Sequence, residues 1–274
     1  MLNLRKNQEK LVSVVVTFAT FSVVLSGLGC DRGAVVTGPS IDSGDAKMAA
    51  ERIAEADTLY EGREDMNKAR VAVVSLRQAR LADYGSYEAA WKLARASFYV
   101  GDRTESNAEK DDMFSQGTDA GKAAVKLQPD KPEGHFWLGA NYGGSAANST
   151  IANLSSFQDI KREMETVLKL DESYQGYSAY LGLGRLYLQA PKVLGGDTEK
   201  AIHYLEKGTK LNPNHGLMRF HLAEAYESSN RDAEAKKQIE ALMAITPDPK
   251  YAAEHKGAVE KGKKLLEKIE QNRR

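Results

Sequence analysis

The chain has 274 residues, and its 38 lysines and arginines are balanced by 38 aspartates and glutamates. A neutral sum leaves no single-sign field, which argues against a protein built around a nucleic-acid backbone. Cys30 is the only cysteine, so no internal disulfide can form, and none of the five histidines stands at H-E-x-x-H spacing to make a zinc motif.

Taken in chain order, residues 1–10 are short and basic, with Arg5, Lys6 and Lys10, and residues 11–29 form an uncharged apolar run of 19 residues. This layout predicts a secretory signal over 1–30. Its end, "LSGLGC", resembles a bacterial lipobox, which implies that Cys30 is lipidated and anchors the protein on the periplasmic side of the envelope. The alternative is an uncleaved N-terminal transmembrane helix, since the run approaches the length of a membrane span. Residues 31–47 are rich in Gly, Ser, Thr and Asp without periodicity, which predicts a flexible tether. The fold is expected to start at residue 48.

From there apolar residues recur at three and four, the helical period. Residues 48–62 and 66–83 predict a first, irregular helix pair, with Ala72, Leu76 and Ala79 on the second helix. Four clearer pairs follow: 89–99 with 114–129, 134–142 with 157–172, 179–187 with 197–213, and 219–226 with 232–242. Pro213 and Pro247, 34 residues apart, close similar phrases. These phrases resemble the tetratricopeptide repeat: Leu138-Gly139, Leu183-Gly184 and Leu222-Ala223 take the Leu-Gly place, and Tyr142, Tyr187 and Tyr226 the following aromatic. On the second helix Ala201 and Ala235 take the small place, Leu205 and Ile239 the large one. The resemblance implies an all-α, right-handed α-solenoid of about four to five irregular helix pairs over 48–250. Residues 251–274, Lys- and Glu-rich on one side, are expected to form a capping helix and tail.

Inserts are expected between the two helices of a pair at 101–112, 143–156 and 190–197; 143–156 reads first as a tolerated surface insertion and second as a backbone-rich contact. In such a stack the first helices line the concave side, so the groove is expected to be lined by Lys92, Ala96 and Tyr99, then Phe136 and Ala140, Leu181 and Arg185, and Phe220 and Glu224; the alternative is that the capping helix or an adjoining unit fills it. No nucleophile elbow, phosphate loop or acid pair appears, which predicts a protein that is not an enzyme and carries no cofactor or metal.

The lipoprotein-like leader, "FWLGANYG", and the segment carrying Pro191, Gly195, Gly196, Asp197, Lys200 and Ala201 are together similar to the T component associated with TRAP transporters. That resemblance implies a periplasmic lipoprotein that engages a solute-binding protein, with an internal path for an apolar small molecule and a homo-oligomeric assembly. The alternative is a scaffold for an envelope assembly factor with no small-molecule ligand.

Overall fold

The computed structural model describes residues 43–148 and 154–272; Cys30, the apolar run and the tether as far as residue 42 lie outside them. The described residues form eleven α-helices: α1 (Ser43–Glu61) with α2 (Met66–Ala82), α3 (Tyr87–Arg103) with α4 (Asn107–Leu127), α5 (Pro132–Asn148) with α6 (Leu154–Leu170), α7 (Tyr174–Gln189) with α8 (Thr198–Leu211), α9 (Gly216–Ser228) with α10 (Asp232–Met243), and α11 (Ala252–Gln271). Every helix packs on the next one along the chain. The first helices of successive pairs also touch in series, α1 on α3, α3 on α5, α5 on α7, α7 on α9 and α9 on α11. In a curved array the layer whose members stay closest is the inner one, so these helices form the concave wall of a tetratricopeptide-type solenoid.

Local chemistry sets the helix starts. Asp65, Ser86, Ser106 and Asp197 each accept a hydrogen bond from a backbone N–H of the first turn. The pairs close as the repeat pattern requires. A Cβ on Gly184 would lie 2.4 Å from the Leu205 side chain, so glycine on α7 makes the room that Leu205 of α8 fills. One core runs from Ile53 to Leu183 and a second from Leu181 to Ile269, so each pair shelters its neighbour.

Three expectations need correction. α1 starts at Ser43, inside the expected tether, and Asp45 in its first turn suits the helix dipole. Most of the expected insert at 101–112 is helix: α3 runs to Arg103 and α4 starts at Asn107, which leaves 104–106 as the turn. Ser106 caps α4 through Glu109 N–H, and Glu109 takes a bidentate bond from Arg70 of α2 at 2.6 and 2.9 Å. Residues 143–148 are likewise helical, residues 149–153 fall outside the described chain, and 190–197 is a connection with a 3-10 turn at Lys192–Leu194.

Candidate functional site

The inner faces of α3, α5 and α7, which touch in series, share a concave surface. They enclose a cavity of about 930 Å³. Each wall repeats at helical spacing: Arg95, Tyr99 and Asp102 on α3; Phe136, Ala140 and Gly143 on α5; Ser178, Leu181, Arg185 and Gln189 on α7. Glycines serve two ends along these walls, close packing at some positions and open space at another. Gly139 and Gly182 flank the Met164 side chain of α6, and a Cβ on either would come within 2.9 Å of it, whereas a Cβ on Gly143 would meet nothing within 4 Å.

Its apolar floor is a chain of rings. Trp137 sits 4.9 Å from Phe136, edge to face, and 5.9 Å from Phe98. Phe136 continues to Tyr174 at 5.3 Å. Burial pushes the Tyr174 hydroxyl up to about 12, so it stays neutral. Asn141 is fully buried behind this floor and donates to Ala94 O and Trp137 O at 3.0 and 2.7 Å, tying α5 to α3.

One rim is cationic and ordered. Arg95 lies 4.0 Å from the Tyr60 ring centre and Arg103 3.8 Å from that of Tyr99, with Arg63 between the two rings. Desolvation by burial raises the Tyr60 hydroxyl, so this ring also stays neutral. Guanidinium and phenol alternate here, each contact contributing roughly 0.5–2 kcal/mol. Across this rim comes Glu254 of α11, whose Oε1 lies 3.2 Å from Arg103 and 3.7 Å from Arg63. The last helix thus touches the first two pairs and closes the array into a chamber.

The opposite rim is strained. Gln175, Gly176 and Tyr177 at the start of α7 have φ of 50°, 64° and 69°, the left-handed region that only glycine enters freely. Side chains hold them there. Ser178 donates to Gln175 O at 2.6 Å, and Asn212 donates to Gly176 O at 3.1 Å. His215 caps α9 by accepting Met218 N–H at its Nδ1, which puts the ring proton on Nε2, 3.1 Å from Ser178 Oγ. Desolvation pushes His215 down to about 4.

The structure brings five of the nine expected groove residues together in the cavity wall: Tyr99, Phe136, Ala140, Leu181 and Arg185. The other four stand elsewhere, Ala96 being buried in the core. Lys92 is drawn to α1, its Nζ 2.5 Å from Asp57 Oδ2 and from Glu88 Oε1, and the wall of α3 passes to Arg95 instead. Phe220 is covered, packed with Leu242 and with Ala258 of α11, because the capping helix continues the inner layer over α9. Glu224 bonds His221 Nδ1 at 2.6 Å. The repeat pattern does not mark Arg63, Arg95, Arg103 or Glu254. The spacing of 95, 98/99 and 102 is a usable signal; the meeting of Arg63 with Glu254 leaves none. Among the described residues, no group of three His, Cys, Asp or Glu side chains converges as a metal site, and no helix is long and apolar enough to cross a membrane.

Residues 52–191 match the family model described as Regulator of microtubule dynamics protein 1-3, and residues 194–254 match a tetratricopeptide repeat model. Among solved structures the chain is similar to TTC0263, a tetratricopeptide protein of Thermus thermophilus, at 19% identity and a TM-score of 0.57 over 77% of this chain and 98% of that one. It is also similar to PilF of Pseudomonas aeruginosa, at 15% identity and a TM-score of 0.53 over 83% and 94%. Identities this low speak for a shared fold alone. No curated protein matches the chain at a significant level.

Proposed function

The chain belongs to the family of regulator of microtubule dynamics proteins 1-3, and on that premise we propose that it is a non-enzymatic tetratricopeptide scaffold whose cavity holds a segment of a partner protein. The observation that carries this reading is the cavity itself: about 930 Å³, walled by the first helices of the repeats, with an aromatic floor and a cationic rim. Concave, mostly apolar sites with a few placed polar groups are the ordinary form of a binding site. The family's name ascribes regulation of microtubule dynamics to its members; the cavity supports the narrower statement that a protein segment is bound.

Two further parts of the proposal rest on the leader and the segment around Pro191 to Ala201. The domain faces the periplasm on a lipid anchor at Cys30, and a TRAP-type solute-binding protein is the partner to try first, ahead of an envelope assembly factor. Cys30→Ser should move the protein out of the detergent phase; unchanged partitioning would contradict the anchor. The ring-lined floor also favours an apolar small molecule as a second occupant, and native mass spectrometry of the purified chain would detect it as added mass.

The direct test is a plug. Gly143→Phe places a ring in open space inside the cavity, on a helix that gains from losing a glycine, by about 0.5–1 kcal/mol for the backbone alone. The variant should keep or raise its Tm and lose partner capture. Capture at wild-type level by a folded Gly143→Phe protein would contradict the reading.

A further inference from the structure

A second cleft opens between α2 and α4, the second helices of the first two pairs, and shares no lining residue with the chamber. It holds about 380 Å³, and Leu93 and Ala120 form its buried floor. The chain alone leaves this cleft unfinished. Arg80 Nη1 and Gln116 Nε2, on opposite walls, are shut off from solvent with no acceptor, so each loses its hydration without replacement. Arg77 and Arg80 on the α2 wall and Asp112 and Asp119 on the α4 wall form no ion pair with any described residue, although Arg70 and Glu109 one step along the same walls pair at 2.6 Å. Beside the cleft stands its counterpart in shape. Tyr84 and Leu81 are 65% and 61% exposed, more than any other large apolar residue described except Val193.

We propose that this outer face is where two copies of the chain meet about a two-fold axis, Leu81 and Tyr84 of each entering the cleft of the other. The charges choose the occupant. A two-fold axis running along the cleft lays the α2 wall of each copy over the α4 wall of the other, so Arg77 and Arg80 face Asp112 and Asp119 in both directions, the reciprocal pairing of an isologous contact. A lipid surface or a nucleic acid presents one sign and would set like charges against one wall. A small zwitterion could answer both walls but would leave Leu81 and Tyr84 in water. In the pair those two side chains gain the Leu93 and Ala120 floor, and the Tyr84 hydroxyl and the carboxylates of the other copy supply the acceptors that Arg80 Nη1 and Gln116 Nε2 lack. The contact goes beyond the chamber and does not rest on its being a partner site.

The test uses the full chain in two tagged forms. Tyr84→benzoylphenylalanine should give on illumination a product of twice the chain mass, with the crosslink mapped to Ser115 or Gln116 on α4 of the other copy. Capture of one tagged form by the other should then follow charge. A chain with Arg77→Glu and Arg80→Glu should capture itself about tenfold less than wild type or worse, and so should a chain with Asp112→Lys and Asp119→Lys; mixing the two should restore capture. Such rescue cannot come from a merely structural role, because each chain keeps its own defect. The four positions line a surface cleft, so both charge variants should keep Tm within a few degrees of wild type. No product of doubled mass, a crosslink to another face, to a different protein or to lipid, self-capture by the charge variants at wild-type level, or a mixture no better than its parts would each overturn the two-fold contact.

Discussion

His215 shows how one side chain couples the fold to the chamber. It caps α9 through an unprotonated Nδ1 and steadies the strained rim through Ser178. Its proton affinity is depressed by burial, to about 4 against 6.5 in an open chain. An unfolded chain therefore takes up a proton that the folded one refuses, and stability present above about pH 6.5 is lost as pH falls toward about 4. His215→Asn, which keeps a capping oxygen but does not titrate there, should flatten that part of a Tm-against-pH curve. A curve parallel to wild type would contradict the assignment. His135 has the opposite sign: its hydrogen bond to Glu163 at 2.6 Å is the larger cause of a raised pKa. Its contribution is complete below about pH 6.5 and fades as pH rises through the raised value. Neither role is readable in the sequence, where a histidine after a proline turn, or one before "FWLG", carries no mark of its partners.

Among the elements, α7 departs furthest from its repeat. Its first turn enters through three left-handed residues, and only Gly176 can do so without cost. Gly176→Ala should lose about 1 kcal/mol or more, from the positive φ and from an Asn212 contact at 3.0 Å, read as a shift in the denaturant midpoint. A neutral result would mean that the turn relaxes into ordinary helix. The existence and pairing of helices are legible because apolar spacing and Leu-Gly pairs repeat. The same alignment puts Arg185 and Phe136 on the inner face, where they line the wall. It fails for Lys92, since nothing local says that Asp57 of another helix will capture it, and for Phe220, since it treats α11 as an end piece while the structure lays that helix over α9. The stretch 101–112 reads as a loop because it is polar; Asp, Glu and Lys at helical spacing are compatible with an exposed helix as well.

For the molecule as a whole, the consequence of curvature is that its ends meet. Glu254 of the last helix reaches Arg63 and Arg103 beside the first pairs, and the concave wall becomes a chamber. These groups are partly exposed, so the clasp contributes modestly, about 0.5–1 kcal/mol. Glu254→Gln should therefore leave Tm within a few degrees of wild type while speeding hydrogen exchange at the start of α11; unchanged exchange would mean the clasp does not hold the helix. Long-range closure of this kind is invisible in a one-dimensional repeat, whose pattern reports only nearest neighbours. The central claim is that a partner segment lies inside this chamber. A photo-crosslinking residue at Gly143, which faces the open space, tests it most directly against one at Val74, which is exposed on α2. The account predicts a crosslink to one partner peptide from position 143 and none from position 74; crosslinking from 74 alone would contradict it.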